Sequence, residues 1–116
     1  MTDPTPWLER LVITLGNLAG EASAQIAYVK NIGSGDNADE LALEFDDVYR
    51  VFEPRMADLN LPDSAAENLV RLNGLLESMG GPQHAELWTS DALRGSENWS
   101  AVRRIAANVL RELDRG

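Results

Sequence analysis

Between residues 36 and 52 the chain reads DNADELALEFDDVYRVF. An α-helix turns by about 100° per residue. At that angle Leu41, Phe45, Val48 and Phe52 share one narrow sector, and Asp36, Glu40, Glu44 and Asp47 gather on nearly the opposite side. The stretch is therefore an amphipathic helix that buries one face and shows solvent a row of carboxylates. Two residues break the division: Leu43 sits among the carboxylates, and Val51 sits at their edge.

The rest of the chain follows the same period. Thr5-Pro6 reads as an N-cap followed by proline at the first helical position, where its missing N–H is no loss. Trp7, Leu8, Leu11, Val12, Leu15 and Leu18 then form a broad apolar stripe, continued by Ala22, Ile26 and Val29 towards Gly33, a C-terminal stop. Gly16 and Gly20 each cost about 1 kcal/mol relative to alanine inside a helix. A break near them, giving helices over roughly 6–17 and 21–32, is the expected outcome. Gly33-Ser-Gly-Asp-Asn is a turn that offers Asp36 or Asn37 as the cap of the acidic helix, with Glu40 completing a variant capping box. Pro54 ends that helix, because the residue before a proline is pushed out of the helical region.

Ser64-Ala-Ala-Glu67 reads as a capping box ahead of Leu69, Leu72, Leu76 and Met79 at helical spacing, and Gly80-Gly81-Pro82 stops the helix. In HAELWTSDALRGS, Leu87, Trp88 and Leu93 are core anchors, and Ser90 caps one short helical turn. Ser96 caps the last helix, which buries Trp99, Val102, Ala106, Val109 and Leu113 and turns Arg103, Arg104, Arg111 and Arg115 elsewhere. No segment shows the period-two alternation of a half-buried strand.

A chain of 116 residues is one domain's worth and can bury a modest core unaided. Its 44% hydrophobic and 25% charged content rules out wholesale disorder. Cysteine is absent, which removes disulfides, thiolate metal sites and cysteine nucleophiles. The opening MTDPTPW is not a secretory signal, and the longest strongly apolar run, Leu11 to Leu15, is far too short to span a bilayer. A cytoplasmic protein is expected.

The net charge is −9, and residues 1–60 carry eleven acids against four bases while residues 61–116 carry eight against six. Such a surface repels nucleic acid and anionic membrane and attracts basic partners. The C-terminal arginines then read as a solvated face paired with the acidic half of the molecule. His84 is the one histidine and has no second ligand beside it. Glu-x-x-His pairs, EF-hand ligand spacing, phosphate-binding glycine loops, nucleophile elbows and zinc spacings are all missing. No cofactor or metal is expected. A lone pair of catalytic carboxylates carries no local motif, so a small carboxylate-dependent enzyme stays as the third reading.

Two local patterns, Glu40-Leu-Ala-Leu-Glu-Phe-Asp-Asp-Val-Tyr-Arg50 and Ala85-Glu-Leu-Trp-Thr followed by Trp99-Ser-Ala-Val-Arg103, resemble small acidic helical proteins of bacteria with GC-rich genomes. Some of these are similar to immunity proteins that neutralise a polymorphic toxin. The resemblance implies a stoichiometric binder without catalytic residues.

The expected fold is all-α, a single domain over residues 1–116 built as an irregular bundle of five to six helices with short loops. Its core is Trp7, Leu11, Phe45, Phe52, Leu72, Leu76, Trp99, Val102 and Val109. The expected function is non-catalytic protein binding, most specifically immunity- or antitoxin-like neutralisation of a toxin domain with a basic surface. The runner-up is a self-associating structural or regulatory domain, in which a spare apolar stripe pairs two copies as a homodimer. The expected binding face is Asp36, Glu40, Glu44 and Asp47 around Leu43, an apolar anchor with a carboxylate rim; Trp88 is a second candidate anchor. A toxin that acts on nucleic acid carries a cationic groove, which the carboxylate row would occupy in place of phosphate.

Overall fold

The computed structural model describes residues 5–32, 38–54, 56, 61–80 and 82–115, without the side chains of 5–7, 82 and 115. Among the described residues there are six α-helices and no strand; in chain order, with the 3-10 segment that precedes α5, the elements are α1 (Thr5–Ala19), α2 (Ala22–Asn31), α3 (Asp39–Phe52), α4 (Asp63–Ser78), the 3-10 segment Pro82–Trp88, α5 (Ser90–Gly95) and α6 (Glu97–Arg115). The all-α reading stands.

The first two helices are separate, as the glycines suggested, but the break falls at Gly20–Glu21 and Gly16 remains inside α1. Ending α1 there leaves its last carbonyls without intrahelical donors. Gln25, on the first turns of α2, supplies them: its Nε2 donates to the carbonyls of Asn17 (3.2 Å) and Leu18 (3.0 Å). A side chain from the next helix thus caps the preceding one across the kink.

Helix ends are where local signals and structure part most often. α3 starts at Asp39 with Ala38 at its N-cap position and no side-chain cap. The N–H of Ala38 donates instead to the carbonyl of Trp88 at 3.0 Å, a long-range partner that no capping pattern announces. Asp36, Asn37 and Gly33, expected in capping and stop roles, lie outside the described residues. The capping box expected at Ser64–Glu67 does not form. α4 begins one residue earlier, at Asp63, with Pro62 at the N-cap position and the Pro62 carbonyl accepting from the Ala66 N–H at 3.1 Å. In α5 the cap is Thr89 rather than Ser90; its hydroxyl accepts from the Ala92 N–H at 3.2 Å, and its extended backbone suits the position. Ser96 caps α6 as expected, accepting from the Asn98 N–H at 3.1 Å.

The expected core is the observed one wherever its side chains are described. Leu11, Phe45, Phe52, Leu72, Leu76, Trp99, Val102 and Val109 are all buried; the Trp7 side chain lies outside the description. Leu15, Leu18, Leu41, Leu69, Met79 and Leu93 are among the other residues of the interior. Helix α1 packs broadly on α3 and on α6, and α6 on α4, where Asn68 also donates to Glu112 at 2.7 Å. The short elements α2, α5 and the 3-10 segment pack together near one end of α6. Going round the four long helices, the order is α3, α1, α6, α4. The last side of that ring is the least closed, since α3 and α4 meet at only a few points.

One expected surface feature is overturned. Arg103 is not part of a solvated basic face. Its guanidinium is half-buried and donates through Nη1 to Gln25 Oε1 at 3.1 Å and to the Leu93 carbonyl at 2.8 Å. A guanidinium fork can reach several neutral acceptors at once, and here it joins α6 to α2 and α5.

Candidate functional site

The outer side of α3 carries the residues singled out by the sequence, and the fold divides them. Leu43 stands at the crest with 52% of its surface exposed. Asp47 is exposed, and Glu40 and Glu44 are half-buried on the flank nearer α1 and α2. Asp36 lies outside the described residues.

Glu44 is held in place. The Tyr28 hydroxyl on α2 lies 2.6 Å from both of its carboxylate oxygens and donates to them. That bond, followed by burial and the charges of Glu44 and Glu40, pushes the Tyr28 phenol up to about 12. Glu44 and Asp47 then border a groove of about 270 Å³ between α3 and α1, completed by Arg10, Ile13, Thr14 and Val48. The Thr14 hydroxyl is buried without a hydrogen-bond partner.

On the other flank, Ala42, Leu43, Phe45 and Asp46 face Asn73, Leu76 and Glu77 of α4 across a groove of about 170 Å³. Arg50 bridges to Asp46 at 2.8 Å, an exposed i,i+4 pair worth at most about 1 kcal/mol. Below this flank Tyr49 stacks on Phe45, with centroids 5.4 Å apart. Burial, then a hydrogen bond to Glu53 and the charges of Glu53 and Glu77, push the Tyr49 phenol up to about 12. The single carboxylate row of the sequence is thus a ridge with an acidic groove on either side. Arg10, Thr14, Asn73 and Glu77 belong to these grooves, and nothing in their local sequence marks them out.

Trp88 is a packing residue. Its indole is half-buried, its Nε1 donates to the Met79 carbonyl at 2.9 Å, and its ring meets Trp99 edge-on. Its N–H is satisfied internally and its carbonyl is taken by Ala38, which ties it to the junction of α3, α4 and α6, as the core-anchor expectation has it.

An apolar surface feature lies elsewhere, in a cleft of about 420 Å³ lined by Leu8, Glu9, Val12 and Ile13 on α1. Ile13 is 65% exposed. Among the described residues, no three acidic or histidine side chains are placed to hold a metal ion, and no helix is long and apolar enough to cross a membrane. Comparison of the chain with protein-family models, with curated proteins and with solved structures finds no match.

Proposed function

We propose that this protein is a non-catalytic binding module that captures a basic partner protein stoichiometrically through the outer side of α3. Its most specific form is an immunity- or antitoxin-like role against a toxin domain, which is what the sequence resemblance implies. The observation that carries the binding role is the combination at the crest. Leu43 is half exposed amid Glu40, Glu44 and Asp47, and Glu44 is fixed by Tyr28. Carboxylates confined to one helical sector repel one another, a cost that a face with only a structural role has no reason to carry. An apolar anchor inside a charged rim suits a partner steered in by opposite charge.

The test is capture of partners from the native host on the parent protein and on a Glu40→Lys/Asp47→Lys variant. Glu44 is left alone because its replacement would also break the Tyr28 bond. The captured partner should associate markedly more slowly with the variant at low salt, with a flatter salt dependence. Equal association rates at low salt would overturn the role of this face.

The apolar cleft on α1 favours a second reading, self-association through Val12 and Ile13. Sedimentation of the parent against Ile13→Glu separates the two. A parent dimer abolished by Ile13→Glu supports the scaffold, and a parent that sediments as a monomer removes it.

A further inference from the structure

We infer that the groove between α1 and α3 is a binding site for a small basic amino acid, a ligand with one carboxylate and an excess of ammonium charge. The inference goes beyond the protein-binding role and concerns the α1-facing flank of α3 rather than its crest.

The two walls of the groove have the same spacing and opposite charge. Arg10, Ile13 and Thr14 stand at i, i+3 and i+4 on α1, and Glu44, Asp47 and Val48 stand at i, i+3 and i+4 on α3. Residues at those intervals are neighbours on one side of a helix, so each helix turns one flank to a space of about 270 Å³. One wall offers a guanidinium and the other two carboxylates. They line a common groove without closing it. Among the described residues the ion pairs are Arg50 with Asp46 and Arg94 with Asp91, and neither Arg10 nor Asp47 takes part in one. Glu44 is fixed by the Tyr28 hydroxyl, and its carboxylate has lone pairs left for a further donor.

Thr14 is the second, independent observation. It is 4% exposed, it lines the groove, and its hydroxyl is buried without a hydrogen-bond partner. Buried polar groups are paired as a rule, and valine would fill the same space with no hydroxyl to satisfy. Threonine in a helix has two favoured χ1 rotamers, so the hydroxyl can turn to a polar group that enters beside it.

The class of ligand follows from the lining. A bare amine is drawn by Glu44 and Asp47 but repelled by Arg10, and for a bare carboxylate the reverse holds. A molecule with both groups sets its ammonium against Glu44 and Asp47 and its carboxylate against Arg10, whose planar fork suits carboxylate oxygens. Ile13 and Val48 offer apolar surface to an aliphatic stem. Two carboxylates against one guanidinium leave an excess of negative charge, which selects a basic amino acid over a neutral one.

The experiment titrates the full-length, isotopically labelled protein at constant ionic strength and follows amide chemical shifts. The probes are L-lysine, pentane-1,5-diamine, which is lysine without its carboxylate, and L-norleucine, which lacks the side-chain ammonium. L-Lysine should shift the six lining residues saturably, and each of the other two should bind about tenfold more weakly. Arg10→Gln, at an exposed position, should erase the advantage of lysine over the diamine. Thr14→Val should weaken lysine binding while raising the Tm of the free protein. Absence of a saturable shift with lysine overturns the site. Equal binding of the diamine, or undiminished lysine binding by either variant, overturns it as well, since Arg10 then only balances the carboxylates of α3. The capture experiment with Glu40→Lys/Asp47→Lys decides the protein-binding role separately.

Discussion

Gln25 on α2 and Arg103 on α6 stand 78 positions apart and are joined by a hydrogen bond of 3.1 Å from the guanidinium to the amide oxygen. The same amide caps the carbonyl end of α1 through its nitrogen. One buried side chain therefore links the kink between the first two helices to the longest helix of the bundle.

Replacing Gln25 by Met keeps the volume and removes both roles, leaving the Asn17 and Leu18 carbonyls without this donor. The expected loss is about 1–3 kcal/mol, the usual cost of orphaning buried polar groups. Arg103→Met should also destabilise, and the double variant should cost less than the two singles added together, because the partners share one network. Strict additivity in denaturant unfolding would show that the bond contributes nothing.

Phe45→Ala should cost about 3–5 kcal/mol, as for other truncated core aromatics. Phe45 is 1% exposed and stacks on Tyr49 beneath the α3–α4 seam. A loss below about 1 kcal/mol in the same measurement would mean that the core collapses around the site far more readily than close packing allows.

Gly16 sits inside α1, and a Cβ there would meet nothing within 4 Å. Gly16→Ala should therefore stabilise by about 1 kcal/mol, a rise of a few degrees in Tm. A lowered Tm would show that this face of α1 is covered in solution, which is the outcome the self-association reading expects.

Alkaline stability should report on the two tyrosines. Both phenols are pushed up from 10.0 to about 12, Tyr28 chiefly by its bond to Glu44 and Tyr49 chiefly by burial. The folded protein then keeps each proton at pH values where the unfolded chain has lost it. Their contribution is complete below pH 10 and falls away as the pH rises towards 12. Melting curves across that window should show a shallower decline for Tyr28→Phe than for the parent. Parallel declines would mean that the Tyr28–Glu44 bond is not maintained in solution.

Leu43→Ala should raise the dissociation rate of a captured partner and leave its association nearly unchanged, since an apolar anchor acts after encounter. An effect on association alone would assign Leu43 no anchoring role.

Much of this molecule is legible in the sequence, and the reason is local. Leu41, Phe45, Val48 and Phe52 fall on one side of any helix drawn through them, whatever surrounds it, so element type, approximate bounds and core membership follow from periodicity and from stops such as Gly20 and Pro54. Ser96 was readable as a cap because its donor is two residues away. Tertiary structure decided whatever depends on a neighbour distant in sequence. The Ala38 N–H donates to the Trp88 carbonyl across fifty positions, so the start of α3 could not be found from capping rules. Arg103 looks like any exposed helical arginine until Gln25 of α2 and the Leu93 carbonyl of α5 are brought to it. The acidic face of α3 shows the same limit. A helical wheel groups Glu40, Leu43, Glu44 and Asp47 by angle, but it does not say which helix lies beside each flank. Packing against α1 places Arg10 and Thr14 next to Glu44, and the open side towards α4 places Glu77 and Asn73 next to Leu43. Angular position is a property of one helix; the grooves exist only between two.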